Sequence, residues 1–188
     1  YLDVSHSERT LGTPLEAAKA IKQRVRDELE LVVSLGVATS RLVAKIASDA
    51  DKPDGLRVIE PGQEAAFLAD LPVGKMPGIG PKAVERLKAS GIRTLGELAR
   101  TPAPVLRPIF GSRTENVIDR AKGIDHKPVE PSGGPTKSIG HERTFGKDLT
   151  DLDDIRRELY QLAERTGRDL RKKGLQGAVV AVKLHYND

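Results

Sequence analysis

A Pro-Gly-Ile-Gly-Pro run at residues 77–81 leads directly into a helical pattern, and this turn restricts how the surrounding chain can fold. Glycine at both positions 78 and 80 is expected to let the backbone turn with a positive φ and to allow the close approach of another group. Pro81 suits the first turn of a helix, where its missing N–H costs nothing. Gly91 is the residue type expected just past the helix end. The run therefore predicts a tight glycine turn that feeds a helix, which is the pattern of a helix-hairpin-helix.

The predicted turn aims free backbone N–H groups and the positive end of a helix dipole outward, an arrangement that suits a phosphate. Four basic residues accompany it, namely Lys75, Lys82, Arg86 and Lys88. This pattern indicates a grip on nucleic-acid backbone without readout of the bases. The alternative is an ordinary helix-turn-helix corner packed into a core.

Charge is distributed unevenly along the 188 residues. Residues 71–122 carry ten basic and four acidic side chains, a net charge of +6, whereas residues 1–70 have a net charge of −3. A polyanion is therefore expected to bind first at the segment that holds the glycine turn. Aromatic residues make up only 3% of the chain and Trp is absent, which argues against single-strand binding on aromatic stacking platforms.

Composition also limits the compartment and the kind of metal site. The chain has no Cys, so it forms no disulfide and no cysteine zinc site. No apolar run approaches the roughly 18 residues of a membrane span, and no signal peptide is visible, so the cytoplasm is the expected location. The histidines are far apart and share no helix face, so they are not expected to bind a metal; they are His6, His126, His141 and His185.

Residues 1–60 predict alternating strands and helices. Tyr1 to Val4 is a β-prone run that reads like the middle of a strand, and the chain is expected to be cut from a longer one. Thr13-Pro14-Leu15-Glu16 is a capping box with proline at the first helical position. The apolar face of the helix after it comprises Leu15, Ala18, Ile21, Val25 and Leu29. Residues 31–38 predict a strand covered on both faces. Ser40 is expected to cap a helix, and residues 56–59 predict a further short strand. This order predicts part of an α/β layer, incomplete at its N-terminal side.

From Pro61 the pattern changes to four or five short helices with no strand among them. Further capping boxes begin at Thr94 and Ser112, and Gly123 is expected to end the last helix. Phe110-Gly111 predicts a second, weaker hairpin turn. These signals together predict a compact helical domain.

The remaining residues predict a linker and a β-α-β unit. Residues 127–135 contain three prolines and two glycines with no apolar periodicity. Strands are predicted at residues 137–145 and 178–186, with a helix from Leu152 to Leu170 between them. A unit of this size lacks the strands needed to close a sheet, so this end is also expected to be cut.

Several segments together resemble one family. The run from Ser34 to Asp49, followed by Lys52-Pro53-Asp54-Gly55, is similar to the palm signature of the Y-family (DinB-type, translesion) DNA polymerases. Residues 71–80 resemble the thumb hairpin of that family, and the Lys-Ser-Ile-Gly run at residues 137–140 falls in the family's order and spacing. The resemblance covers essentially the whole chain and implies an α+β multi-domain fragment. Its parts would be a partial α/β palm at 1–60, an all-helical thumb with the helix-hairpin-helix at 61–128, a linker at 129–136 and a partial βαβ little-finger domain at 137–188.

The resemblance implies that the parent is a DNA-directed DNA polymerase that uses Mg²⁺ in two-metal nucleotidyl transfer. The family's metal-holding carboxylates match no position of this chain, so the chain as given is expected to be inactive and to hold no metal. Asp3 falls at a position that is not a ligand in the family and is interpreted as structural. Lys45 matches the family residue that contacts the triphosphate of the incoming dNTP, whereas Arg41, one turn earlier, is left without a role.

The resemblance also implies phosphate contacts with primer–template duplex DNA. The residues expected to make them are Gly78, Ile79, Gly80, Lys82, Lys137 and Ser138. A sliding clamp is a further partner of the family, through regions outside this chain, and no membrane is involved. Two alternatives are a catalytically inactive relative that acts as a scaffold or adaptor at damaged DNA, and an independent helix-hairpin-helix module. An Asp-Glu pair two positions before Tyr1 would exclude the inactive relative. The independent module leaves the palm signature unexplained.

Overall fold

A computed structural model describes residues 1–130, 134 and 136–186 of the chain. Two compact units make up the chain, Tyr1–Glu130 and Pro131–Asp188. The division between them falls inside the predicted linker at 129–136, of which residues 131–133 and 135 lie outside the described part. No helix in the described residues is both long and apolar enough to cross a membrane.

The first unit begins with helices packed on a small parallel sheet. The elements are α1 (Glu8–Leu11), α2 (Pro14–Leu29), β1 (Leu35–Val37), α3 (Arg41–Ala50) and β2 (Leu56–Val58). Leu35 pairs with Leu56 and Val37 with Val58 in parallel register, so α3 is the crossover between the two strands. The predicted strand–helix–strand order is therefore present.

Two predictions about strands in this region are wrong. Tyr1 to Val4 forms no strand, and the strand predicted at residues 31–38 is reduced to Leu35–Val37. A strand needs a neighbour to satisfy its backbone N–H and C=O groups, and β1 and β2 pair only with each other among the described residues. For the same reason the sheet is too small to cover all of α2, and Leu15 and Leu29 on its predicted apolar face are exposed.

The helix starts result from local side-chain caps. The Thr13 hydroxyl accepts a hydrogen bond from the Glu16 N–H at 3.3 Å, while the Glu16 carboxylate accepts one from the Thr13 N–H at 2.7 Å. The Ser40 hydroxyl accepts from the Val43 N–H at 3.3 Å and thereby starts α3. Each cap satisfies amide groups that the first helical turn leaves free.

Helix α3 lies directly against β1 without side chains between them at Gly36. A Cβ atom at Gly36 would lie 2.1 Å from the carbonyl oxygen of Ala44 and 2.5 Å from the backbone nitrogen of Ser48. Glycine is therefore required at this position, because only its missing side chain allows the two backbones to approach so closely. Leu42, Val43 and Ile46 on the same helix are buried in the core.

The Lys22 side chain connects α2 to the residues just before both strands. Its ammonium donates hydrogen bonds to the carbonyl oxygens of Val33 at 2.7 Å and Gly55 at 3.3 Å. It also donates to the carbonyl and the carboxylate of Asp54, at 2.9 and 2.6 Å. The side chain is only 18% exposed, so these contacts take the place of water around the charge.

The second half of this unit is helical, as predicted. It consists of α4 (Glu64–Ala69), a 3₁₀ turn at Val73–Lys75, α5 (Pro81–Ala89), α6 (Leu95–Arg100), α7 (Ala103–Phe110), a 3₁₀ turn at Gly111–Arg113 and α8 (Thr114–Ala121). Its largest fully buried side chains are Leu68, Val73, Met76, Leu87, Leu95, Leu98 and Leu106. They belong to the same hydrophobic cluster as the buried face of α3, so the two halves share one core.

One of the two capping boxes predicted in this half is correct. Thr94 and Glu97 cap α6 reciprocally. Ser112 caps nothing, because it lies within the 3₁₀ turn, and α8 starts at Thr114. The buried Thr114 hydroxyl donates to the carbonyl oxygen of Gly111 at 2.8 Å instead. Gly111 has a φ of 57°, and this left-handed residue after Phe110 ends α7 and begins the tight turn.

The second unit contains one helix, α9 (Leu152–Lys172), among its described residues. The Asp151 carboxylate caps it by accepting from the N–H groups of Asp153 and Asp154. The predicted βαβ arrangement is wrong for the described residues, since residues 137–145 and 178–186 form no strand. In the segment at 178–186, Val179 and Val180 are 85% and 92% exposed. An apolar run without a neighbouring strand has no partner for its backbone hydrogen bonds.

Candidate nucleic-acid interface

The glycine turn has one strained position, not two. Gly78 has a φ of 93°, which favours glycine, whereas Gly80 has a φ of −82° that any residue can adopt. The prediction of positive φ at both glycines is therefore wrong for Gly80, because Gly80 takes the extended conformation of an N-cap residue before α5. Pro81 occupies the first helical position, as predicted.

The turn is fixed from inside and open on the outside. Ile79 is 7% exposed and its side chain belongs to the core, so it offers no side chain to a ligand. Its N–H donates to the carbonyl oxygen of Met76 at 3.1 Å. Gly78, Gly80 and Lys82 are exposed. A Cβ atom at Gly80 would have nothing within 4 Å, so the space in front of this residue is free.

Helix α5 presents one free donor of its first turn on that open side. Pro81 has no N–H, and Lys82 has no carbonyl four positions earlier within the helix, so the Lys82 amide is the available one. The carbonyl oxygen of Gly80 accepts from the N–H groups of Ala83 and Val84, both at 3.0 Å, which orients the turn along the helix axis. An amide-lined N-terminus with a lysine beside it can accept an anionic oxygen.

The four predicted cations do not all surround the turn. Lys75 ends the 3₁₀ turn that precedes it, and Lys82 lies at the start of α5, but Arg86 and Lys88 lie in the last turn of α5. The Arg86 guanidinium donates to the carbonyl oxygen of Pro108 at 2.7 Å, which ties α5 to α7. Arg86 therefore has a packing contact that the sequence pattern did not indicate.

Arg120 is the residue that sequence reasoning missed. It lies on α8 and is half-buried, and its Nη2 donates to the carbonyl oxygen of Pro77 at 2.9 Å. Only its membership of the segment with net charge +6 distinguishes it in the sequence, because its contact with the turn spans 43 residues.

Lys45, the predicted triphosphate-binding residue, lies on α3 and pairs with Asp49 one turn later. The same carboxylate accepts the ammonium of Lys52 at 2.5 Å through its other oxygen. Hydrogen bonds from the two lysines lower the pKa of Asp49 to about 2, and the one from Lys45 has the larger effect. The Lys45 side chain is 41% exposed, so it reaches solvent beside its partner.

Arg41 and Asp3 lie in a cleft between the N-terminal residues and the start of α3. The Arg41 guanidinium lies 4.8 Å from the centre of the Tyr1 ring and donates to the carbonyl oxygen of Pro128 at 2.8 Å. Asp3 accepts a hydrogen bond from the Ser5 N–H at 2.9 Å, which lowers the pKa of its carboxyl group. Within the described ranges, no three His, Asp or Glu side chains come together as metal ligands would.

Lys137 and Ser138 belong to the second unit. Both are exposed and lie outside any helix or strand. Nearby residues are tied to α9, since the Arg143 guanidinium binds the Glu158 carboxylate at 2.8 Å and His141 lies 3.0 Å from Asp169.

Three family models match the chain. Residues 1–49 match the impB/mucB/samB family, residues 61–92 the helix-hairpin-helix (HHH) motif of the IMS family, and residues 136–188 the impB/mucB/samB family C-terminal domain. Among curated proteins, the DNA polymerase IV of Alkalilimnicola ehrlichii is 40% identical over the whole chain and 53% of its own length. That of Halorhodospira halophila is 41% identical over the whole chain and 52% of its own length. The chain thus spans about half the length of the curated relatives it matches.

Solved structures agree with these matches. A Y-family DNA polymerase chimera aligns with a TM-score of 0.75 at 29% identity, over 89% of this chain and 48% of its own. DinB from Sulfolobus solfataricus aligns with a TM-score of 0.62 at 33% identity, over 69% of this chain and 38% of its own. The hairpin match at 61–92 includes the exposed turn from Gly78 to Lys82 and leaves Arg120 outside.

Proposed function

We propose a function for this chain on the premise that it belongs to the impB/mucB/samB family, the family of the DinB-type, Y-family DNA polymerases. The chain is part of a DNA-directed translesion polymerase, and its role is to bind primer–template duplex through backbone phosphates. The observation that carries this proposal is the open, amide-lined turn at Gly78 to Lys82, at the start of a nine-residue helix.

The domain assignment is part of the proposal. Residues 1–60 are the C-terminal half of a palm, residues 61–128 a thumb, residues 129–136 a linker and residues 137–188 the first part of a little finger. The three separate family matches, to residues 1–49, 61–92 and 136–188, support these divisions.

The turn binds phosphate mainly through its backbone. The positive end of the α5 dipole and the amides of Gly80 and Lys82 receive a phosphate oxygen, and the Lys82 side chain adds a charge beside them. The net charge of +6 on residues 71–122 draws the duplex to this side of the thumb. Lys137 and Ser138 contribute an ammonium and a hydroxyl to further phosphates. None of these groups distinguishes one base from another, so the binding is independent of sequence.

Lys45 contacts the triphosphate of the incoming dNTP. To do so its ammonium has to leave Asp49, and Lys52 stays on the same carboxylate through the other oxygen. Asp49 is therefore not left as an unpaired charge when Lys45 turns toward the nucleotide.

The Mg²⁺ chemistry that the family implies finds no ligand set in the described part of this chain. No three candidate ligands come together there, and Asp3 is engaged by the Ser5 N–H. No catalytic step is therefore derived from these residues, and the chain alone is expected to bind DNA without extending it.

Fluorescence anisotropy of a labelled DNA duplex tests the proposal. Gly80→Ala places a methyl group where a phosphate approaches, in a backbone conformation that alanine adopts without strain. We expect it to weaken duplex binding by about tenfold, because it separates the phosphate from the amide donors. Gly146→Ala, at an exposed glycine whose Cβ would also meet nothing, is the matched control. A folded Gly80→Ala chain that binds like the unsubstituted chain would show that the turn is only a structural corner.

A further inference from the structure

The Arg120 guanidinium lies across the first peptide of the glycine turn. Its Nη2 donates to the carbonyl oxygen of Pro77 at 2.9 Å. Its Nη1 lies 3.5 Å from the position that a Cβ atom at Gly78 would occupy. One terminal nitrogen therefore binds the carbonyl group of the Pro77–Gly78 peptide, and the other lies on the side of Gly78 where a side chain would project.

The position of this guanidinium is itself fixed by packing. Val117 and Ala121 flank Arg120 on α8 and are 4% and 2% exposed, so the helix is anchored in the core. Arg120 therefore connects the turn to a rigid support that lies outside the hairpin motif. A guanidinium carries five N–H donors and always keeps its charge, and the Pro77 contact takes one of the five.

The Pro77–Gly78 peptide controls the phosphate donors because they come directly after it in the chain. Gly78 has a φ of 93°, a conformation that an unsupported glycine leaves easily. The direction of the peptide determines where the following amides point. Those of Gly80 and Lys82 are the donors of the proposed site, since Pro81 has no N–H and the Ile79 N–H is bonded to Met76. A phosphate bound by preorganised donors needs no ordering of the turn on binding.

We propose that Arg120 is a positioning residue for the phosphate site of the hairpin: it holds the turn in its binding conformation through Pro77 and places a permanent positive charge behind it. The ligand class is the phosphodiester backbone of duplex DNA. This inference rests on the proposed duplex binding and adds a residue to it that the hairpin motif does not contain.

Arg120→Met tests the inference in the chain itself, because it keeps the aliphatic stem and removes both the charge and the hydrogen bond. Arg113→Met is the matched control: it removes one charge at the other end of α8, about 10 Å away by helical rise. The first readout is duplex affinity by fluorescence anisotropy. The second is hydrogen exchange of the Ile79 amide in the free protein, which reports the state of the turn through its hydrogen bond to Met76.

For Arg120→Met we expect duplex affinity to fall by about tenfold and Ile79 exchange to accelerate by a similar factor. For Arg113→Met we expect a change in affinity of about twofold or less and unchanged exchange. Equal effects of the two substitutions on affinity would overturn the inference. Weaker binding by Arg120→Met with unchanged Ile79 exchange would also overturn it, because Arg120 would then act only as one more cation.

Arg120→Lys keeps the inference testable if the methionine variant does not fold. Lysine retains the charge, but its shorter side chain ends in a compact ammonium and lacks the planar guanidinium that reaches the Pro77 carbonyl oxygen. On a logarithmic scale, we expect Arg120→Lys to recover less than half of the affinity that Arg120→Met loses. Wild-type affinity in Arg120→Lys would overturn the positioning role. Failure of the unsubstituted chain to bind duplex would overturn the proposed function instead, and the exchange measurement would still decide whether Arg120 holds the turn.

Discussion

The carboxylate of Asp49 accepts a hydrogen bond from the ammonium of Lys45, which lies one helical turn earlier on α3. Because the other carboxylate oxygen is occupied by Lys52, the three residues carry a net charge of +1. This arrangement keeps an exposed lysine in a defined position on α3. The proposed triphosphate contact requires the nucleotide to compete with Asp49 for this ammonium.

The first prediction concerns the pKa of Asp49. It is about 2 in the folded chain, below the ordinary value of 3.8, so the stabilisation it gives is complete above the ordinary value and is lost as the pH falls toward 2. Lys45→Met should raise this pKa more than Lys52→Met, since the hydrogen bond from Lys45 is its largest cause. Carboxyl ¹³C shifts followed by NMR between pH 2 and 6 measure both. An unchanged pKa in Lys45→Met would show that the pair does not form in solution.

The second prediction concerns Lys45 in the full-length polymerase that we propose. Loss of a charge-assisted contact with the triphosphate should lower kcat/KM for dNTP by roughly tenfold to a hundredfold in Lys45→Met. Affinity for primer–template should not change, because the phosphate-binding turn is a separate site. Lys19→Met, at an exposed lysine on α2, is the control. If Lys45→Met and Lys19→Met have the same dNTP kinetics, the triphosphate contact is wrong.

The third prediction separates the near and far cations of α5. Lys82 lies beside the turn, whereas Lys88 lies in the last turn of the same helix. Lys82→Ala should weaken duplex binding modestly, by about threefold, and reduce the slope of log affinity against log salt by about 1. Lys88→Ala should change the slope less. A salt series in fluorescence anisotropy measures both slopes, and identical slopes would mean that no phosphate is bound specifically at the turn.

The fourth prediction is that the chain does not extend a primed template with dNTPs and Mg²⁺. The reason is that no three His, Asp or Glu side chains of the described residues come together as metal ligands would, and two-metal transfer needs both ions to be held. A gel-based primer-extension assay at ordinary enzyme concentrations measures it, with a known DNA polymerase as the positive control. Template-dependent incorporation by this chain would contradict the assignment.

The fifth prediction concerns stability. Lys22→Met removes the donor to the carbonyl group of Val33, whereas the carbonyl group of Gly55 keeps its hydrogen bond from the Leu35 N–H at 3.0 Å. It should lower the free energy of unfolding of the first unit by about 1–3 kcal/mol, the cost of unsatisfied polar groups. Urea denaturation followed by circular dichroism measures this. In the control Lys19→Met, on the same helix, the free energy of unfolding should stay within about 0.5 kcal/mol of wild type. If Lys22→Met lowers it as little, water replaces the ammonium.

Local signals in the sequence predicted the helix starts well. The caps at Thr13, Ser40 and Thr94 act within four residues, so the residues that form them are adjacent in the sequence. The hairpin turn was predicted, but positive φ was assigned to Gly80 as well as Gly78. A glycine before a proline-led helix can serve as an extended N-cap, and the residue type alone does not reveal which of two glycines is strained.

Non-local features were not predictable in the same way. Strand formation at residues 137–145 and 178–186 depends on pairing partners, and an apolar alternating pattern does not supply them. The contact between Arg120 and Pro77 spans 43 residues, and nothing in the spacing of either residue indicates it. The same holds for the hydrogen bond from Arg86 to Pro108, which ties one of the four cations expected around the turn to α7.

The absence of a side chain at Gly36 has a kinetic consequence. Because the carbonyl oxygen of Ala44, the residue before Lys45, lies close against the backbone of Gly36, α3 is held in place on β1 at this point. If Lys45 contacts a nucleotide as proposed, its ammonium reaches it by rotation of one side chain on a helix that stays in place. Such rotations take picoseconds to nanoseconds, whereas collective domain motions take microseconds to milliseconds. The proposed exchange of Asp49 for a triphosphate therefore belongs to the faster of these two timescales.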